Sequence, residues 1–172
     1  MPLIINNLQD IESARNRILH SAERAKIAIC GATLEPLDWL REIKFKTFGF
    51  HPYDHHPLNF IEQINQTFTY IVALEATRVL LTLHPGSGYK LAPGAHAEQT
   101  LDIMSIDDGL VGAECFSSVD PRNNSKLKKD VAKLKNNKEK YRYVFLTSPK
   151  YPLTKHLTAL DVEGIEVWSV AI

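Results

Sequence analysis

Two carboxylates interrupt an otherwise apolar stretch, LDIMSIDDGLVGAECFSS, residues 101–118. Asp102 lies in its first arm and Glu114 in its second, with the turn dipeptide Asp108-Gly109 between them. The arms, Thr100 to Ile106 and Leu110 to Ser118, alternate apolar with small or polar residues, so they read as the strands of a β-hairpin. Register decides what the two acids can do. A two-residue turn at Asp108-Gly109 sets Asp102 opposite Cys115 and Glu114 opposite Ile103, with the carboxylates on opposite faces. A three-residue loop, Asp107-Asp108-Gly109, with Gly109 left-handed, sets Asp102 opposite Glu114, their Cβ atoms about 5 Å apart. Like charges so placed repel unless a cation lies between them, and hard oxygen donors of this kind suit Mg²⁺ or Mn²⁺. The plainer alternative makes Asp102 a strand-end residue bonded to a backbone amide and Glu114 a charge that deters edge pairing.

The elements that would position these acids follow from periodicity. Asn7 to Ile29 carries Ile11, Ala14, Ile18, Ala22 and Ala25 near the helical repeat, with Asn7 or Asp10 as a cap. EPLDWLREI reads as a short helix with Pro36 in its first turn, and Phe45 to Pro57, rich in aromatics and prolines, as an irregular connection. A long helix runs from about Asn59 to Leu83, with Asn59 and Glu62 spaced as a capping box. After a Pro- and Gly-rich loop and a short strand comes the hairpin. A helix from about Ser125 to Asn136, a buried strand from Tyr141 to Pro149, a short turn and a last strand, IEVWSVAI, follow. The expectation is a single α/β domain over 1–172, with a central mixed β-sheet flanked by helices. Residues 1–57 form an N-terminal helical extension and 58–172 the α/β core.

Composition excludes several classes. Twenty Lys+Arg balance twenty Asp+Glu, so any affinity for nucleic acid must come from a local patch. Cys30 and Cys115 stand apart from any metal-binding spacing and fit a reducing compartment. Phe68 to Leu83, the most apolar segment, carries Glu75 and Arg78 and falls short of the roughly 20 apolar residues of a membrane span. With no leader at the N-terminus, the expectation is a cytoplasmic protein with no membrane partner.

The order helix, Asp strand, Glu strand, helix, strand, from about Asn59 to Ile172, resembles the core of the PD-(D/E)xK (restriction endonuclease-like) nuclease superfamily. The resemblance implies that Asp102 and Glu114 are metal ligands holding Mg²⁺ or Mn²⁺, which activates water and stabilises charge on a scissile phosphate. A Glu on the first core helix often assists in that family, and Glu62, on one helical face with Gln66 and Thr69, is the candidate here, beside its capping role. The motif departs at its lysine: the sequence reads E-C-F, with Phe116 where the family has Lys. Lys126 is the favoured substitute. Lys129 and Lys90 are alternatives, and Asn123 or Asn124 would orient water without supplying charge. What the resemblance implies is a metal-dependent nuclease, a phosphodiesterase acting on nucleic acid and on DNA first, in a superfamily many of whose members are homodimers. Two alternatives stand: a catalytically inactive nuclease-fold module that binds nucleic acid or a protein partner, and a hydrolase of small phosphorylated substrates.

Three further patterns bear on binding. Arg122 to Arg142 holds nine basic residues against Asp120, Asp130 and Glu139. It reads either as a phosphate-contacting face or as a solvated helix whose Leu127, Val131 and Leu134 face the sheet. HPYDHH, residues 51–56, holds metal-ligating types without a recognised spacing. His96 and Glu98 precede the Asp strand, where Glu98 would widen the acidic cluster. Trp39 and Trp168 read as packing residues.

Overall fold

The computed structural model describes residues 2–30, 34–93, 99–122 and 125–172; His96, Glu98, Asn123 and Asn124 lie outside them. The chain runs β1 (Leu3–Ile5), α1 (Leu8–Cys30), α2 (Pro36–Phe45), β2 (Thr47–Phe50), β3 (Pro57–Asn59), α3 (Phe60–Leu83), β4 (Tyr89–Leu91), β5 (Ile103–Ser105), β6 (Val111–Ser117), α4 (Lys126–Lys135), β7 (Tyr141–Thr147), β8 (Lys155–His156), a 3₁₀ turn (Thr158–Leu160) and β9 (Ile165–Ser169). Seven strands make one mixed sheet in the order β1-β4-β5-β6-β7-β9-β8. β4, β5 and β6 form an antiparallel meander, and β7 lies parallel to β6 through the α4 crossover. β9 continues the parallel set beside β7.

The sheet is covered on both faces, and the alternation of side chains along β6 decides what each face holds. Val111, Ala113 and Cys115 point into a core built with Ile11 and Ile18 of α1 and Leu74 and Leu80 of α3. Phe116 points the other way, into a second core with Leu101, Leu146 and the α4 residues Val131 and Leu134. The first six residues of β6 are all buried, as a central strand under two helical layers requires. Glu114 shares the parity of Phe116, so it lies beneath α4.

The N-terminal 57 residues are more than a helical extension. β1 is an edge strand of the central sheet, paired with β4, and α1 packs along α3. The stretch read as irregular forms the β2–β3 hairpin, with Thr47 opposite Asn59 and Phe50 opposite Pro57. Trp39 is partly exposed on α2 and anchors no core, whereas Trp168 packs on the first core and stacks on His156 at 4.8 Å. Among the described residues no helix is long and apolar enough to cross a membrane.

α3 begins where its sequence dictates. The Asn59 side chain accepts from the Glu62 amide at 2.9 Å, and the Glu62 carboxylate accepts from the Asn59 amide at 2.9 Å. The box satisfies two of the donors a helix start leaves free, and it places an anion at the positive end of the helix dipole. Asn59→Ala is expected to cost about 1 kcal/mol of stability, read as a lower denaturant midpoint in equilibrium unfolding.

Candidate metal centre

The β5–β6 hairpin adopts the register of the three-residue loop. Ile103 pairs with Ala113 and Met104 with Gly112, which sets Asp102 across from Glu114. Gly109 has φ +75°, the left-handed conformation this loop demands and that only glycine takes without strain. Ser105 closes the loop end: its hydroxyl accepts from the Val111 amide at 2.9 Å and donates to the Asp107 carbonyl at 2.6 Å.

Beyond Ile103 the backbone ladder stops and side chains take over. The Asp102 amide donates to Glu114 Oε1 at 3.2 Å, and the Cys115 amide donates to Asp102 Oδ2 at 2.9 Å. The Asp102 carbonyl meanwhile accepts from the Ala92 amide at 3.0 Å, which ties it to the strand on its other side. Asp102 is 9 % exposed and Glu114 2 %. Two carboxylates are therefore held on facing positions of one strand pair in a place water hardly reaches. Burial, reinforced by the charge of Asp102, pushes the Glu114 carboxyl up to about 7, against the pull of Lys133. Burial and then Asp102 likewise push up the neighbouring Cys115 thiol, which makes it an inert apolar filler.

α4 supplies the charges that cover the pair. Lys133 Nζ lies 2.7 Å from Glu114 Oε1, and Lys126 Nζ lies 2.6 Å from Asp130 Oδ1. Asp130 is 2 % exposed, and its second oxygen, Oδ2, is buried with no hydrogen-bond partner. Its carboxyl is pushed up by burial, with Lys126 pulling the other way and Asp102 pushing further. Burial, the largest single influence, lowers the Lys126 ammonium, but the bond and charge of Asp130 with the charges of Asp102 and Glu114 together raise it. Glu139 lies against Gly112 on this face of the sheet: a Cβ at Gly112 would come within 2.8 Å of Glu139 Cγ. Asp102, Glu114, Asp130 and Glu139 are thus buried carboxylates on this side of the sheet, and two of them, at Asp130 Oδ2 and Glu139 Oε2, have an oxygen with no hydrogen-bond partner.

The structure thus brings Asp102, Glu114 and Lys126 to one region and adds Lys133 and Asp130. Lys126, Asp130 and Lys133 stand at i, i+4 and i+7 on one helical face. That spacing was visible in KLKKDVAK, but Asp130 read there only as a charge opposing the basic run. Glu62 is placed elsewhere. Its carboxylate closes the capping box at the start of α3, in the layer across the sheet from α4, and it is not among the groups that converge on Glu114. Lys90 lies on the same sheet face as Glu114 but one pair further along, opposite Met104. Phe116 is 6 % exposed inside the second core.

The basic run divides. Lys126, Lys133 and Lys135 are held by Asp130, Glu114 and Glu163, whereas Arg122, Lys128, Lys129, Lys138 and Lys140 are exposed. HPYDHH gathers into a compact turn. His51 Nδ1 lies 2.9 Å from Asp54 Oδ1, His56 Nδ1 shares that oxygen, and the rings of His51 and His56 stack at 4.8 Å. Their ligating atoms lie within 4.8 Å of one another, so this turn can hold a metal ion, although parallel rings point their lone pairs poorly at a shared ion. An open groove of about 500 Å³, lined by Ile64, Phe68, Ser117, Val119, Pro149 and Ile172, lies at the carboxyl ends of β6 and β7; the carboxylates do not line it. No family model, no curated protein and no solved structure matches the chain.

Proposed function

We propose that the chain is a divalent-metal-dependent phosphodiesterase of nucleic acid, DNA in the first instance, on a restriction endonuclease-like core. The observation that carries this reading is the pairing of Asp102 with Glu114 across the hairpin, buried, with Lys133 on Glu114. The order α3, antiparallel β4-β5-β6, α4 and parallel β7 supports it, because this is the arrangement the PD-(D/E)xK resemblance implies.

In this reading Asp102 and Glu114 hold the cation, Mg²⁺ or Mn²⁺. When bound, the ion supplies an activated water and a positive charge beside the scissile phosphate. The chain's own residues do the rest. The strand ladder and the Cys115 amide fix Asp102, so the ligand geometry is set before substrate arrives. Lys126 and Lys133 bring from α4 the positive charge that the family places two residues after the Glu. Lys133, whose side chain is 46 % exposed, is long enough to leave Glu114 for a phosphate oxygen. Lys128 and Lys129, free on the outer face of α4, suit contacts along a phosphate backbone.

The experiment is cleavage of single-stranded, double-stranded and branched DNA and of RNA, with Mg²⁺ or Mn²⁺ and with chelator. Wild type is expected to cleave only with metal, and Asp102→Asn to lower the rate by roughly a hundredfold to a thousandfold. Salt-dependent binding without cleavage would favour the second reading, an inactive nucleic-acid-binding module, which the Phe116 replacement recommends.

A further inference from the structure

We propose that the turn between β2 and β3 is a second metal centre, in which His51, Asp54 and His56 bind a divalent transition-metal ion, zinc in the first instance. This centre shares no residue with Asp102 and Glu114 and stands whether or not those two acids hold a cation.

Three donors of suitable chemistry meet in one short turn. Asp54 Oδ1 lies 2.9 Å from His51 Nδ1 and 2.5 Å from His56 Nδ1, and the ligating atoms of the three residues all fall within 4.8 Å. Among the described residues no other three His, Cys, Asp or Glu side chains converge so closely. The donors of a tetrahedral zinc ion stand about 3.4 Å apart at ligand distances of about 2.1 Å, so an ion enters by spreading these contacts by less than about 1 Å. Imidazole nitrogens select a transition metal over Mg²⁺, and two imidazoles with one carboxylate leave a fourth position for water.

The backbone holds the group in place. The His51 amide donates to the His56 carbonyl at 2.9 Å, and the His55 amide to the His51 carbonyl at 3.2 Å. His55 takes a left-handed conformation, φ +61°, which a non-glycine residue keeps only where its surroundings hold it, and the chain turns back so that the His56 ring lies over His51. The His56 amide also donates to Asp54 Oδ1 at 3.2 Å, the kind of outer-shell bond that orients a ligating carboxylate. The two rings lie 13° from parallel, so one must tilt to bring both lone pairs onto one ion. His56 has the room, with its side chain 46 % exposed, whereas His51 is buried and packs edge-on to Tyr70 at 5.5 Å. His51 is thus the fixed ligand at the floor, and Asp54 and His56 close over the ion from the solvent side. β2 packs on α1 and both strands pack on α3, so an ion here ties the N-terminal elements to the core.

The test is Zn²⁺ titration of the full, untagged chain by calorimetry, with the visible spectrum of added Co²⁺ as a second readout. Variants are Asp54→Asn and His56→Ala, both at exposed side chains where folding tolerates change, with His55→Asn and the double variant Asp102→Asn/Glu114→Gln as controls. Wild type is expected to bind one Zn²⁺ per chain and to melt at a higher temperature with it. Loss of a mere outer-shell partner weakens metal binding by about 10–100-fold, so loss of either ligand is expected to weaken it by at least that much. His55→Asn, which accepts the left-handed backbone, and the double variant are expected to bind Zn²⁺ as wild type does. Wild-type affinity in both Asp54→Asn and His56→Ala, or no stoichiometric Zn²⁺ binding by wild type, would overturn the proposal. Binding lost in the double variant alone would place the ion on Asp102 and Glu114, which overturns this centre and leaves that one standing.

Discussion

Glu114→Gln is expected to make the metal-free chain more stable above about pH 8 while removing its affinity for Mg²⁺ and Mn²⁺. The Glu114 carboxyl titrates near 7 in the fold against an ordinary 4.5, so the folded protein holds a proton that the unfolded chain has released. The stability this gives is fully present below the ordinary value and is lost as pH rises through the folded one. Above that window the buried charge costs the fold on the order of 3 kcal/mol, at about 1.4 kcal/mol per unit. Glutamine keeps the shape and removes the charge, and loss of the Lys133 bond offsets part of the gain. At roughly 2–4 °C per kcal/mol for a chain of this size, the melting temperature should rise by about 5–10 °C at alkaline pH and be unchanged at acid pH. Thermal unfolding at two pH values, with and without Mn²⁺, measures both halves. Wild type should gain stability from Mn²⁺ mainly above neutrality, because below it the proton competes for Glu114. A drop in melting temperature for the Gln variant at alkaline pH would mean that the Lys133–Glu114 bond outweighs the burial it offsets.

Phe116→Lys, which restores the family's motif on paper, is expected to damage the protein and to add no activity. The ring is buried among Leu101, Val131, Leu134 and Leu146, on the face where α4 meets the sheet. Removing a core phenylalanine costs about 3–5 kcal/mol. Lysine refills part of the volume but brings an ammonium into an apolar cluster, which lowers its pKa by several units or forces α4 outward. The expected result is a loss of about 4 kcal/mol in equilibrium unfolding, with metal-dependent cleavage no higher than wild type. Cleavage that rises while stability holds would show that the strand can supply the lysine and that Lys126 and Lys133 are not its substitutes.

What was legible in the sequence was local. Alternation marked both strands of the hairpin, the Asn59–Glu62 spacing marked the start of α3, and 3.6-residue periodicity marked α1 and α4. The facing of Asp102 and Glu114 was legible only as one of two registers, because Asp107-Asp108-Gly109 is compatible with either loop until tertiary packing selects the face each strand buries. The short strands β1, β2 and β3 escaped detection. Three or four residues carry no period, and the partner of β1, Leu91 for Leu3, lies far along the chain. The partners of the acids were hidden for a related reason. Lys126, Asp130 and Lys133 neighbour Leu127, Val131 and Leu134 on the helix, so the apolar stripe drew the eye to packing while the polar stripe beside it covered Glu114. Glu62 read both ways because capping and catalysis ask for the same residue type, and the hydrogen bonds show the capping box.

The hairpin's exchange of ladder bonds for carboxylate bonds has a spectroscopic consequence. The backbone amides of Asp102 and Cys115 donate to the side chains of Glu114 and Asp102, so each amide proton feels the charge of one acid of the pair. In a nitrogen–proton correlation spectrum their two resonances are built-in indicators. The Asp102 signal should move as Glu114 titrates and both should move when a cation arrives, reporting on each acid separately without any label in the site.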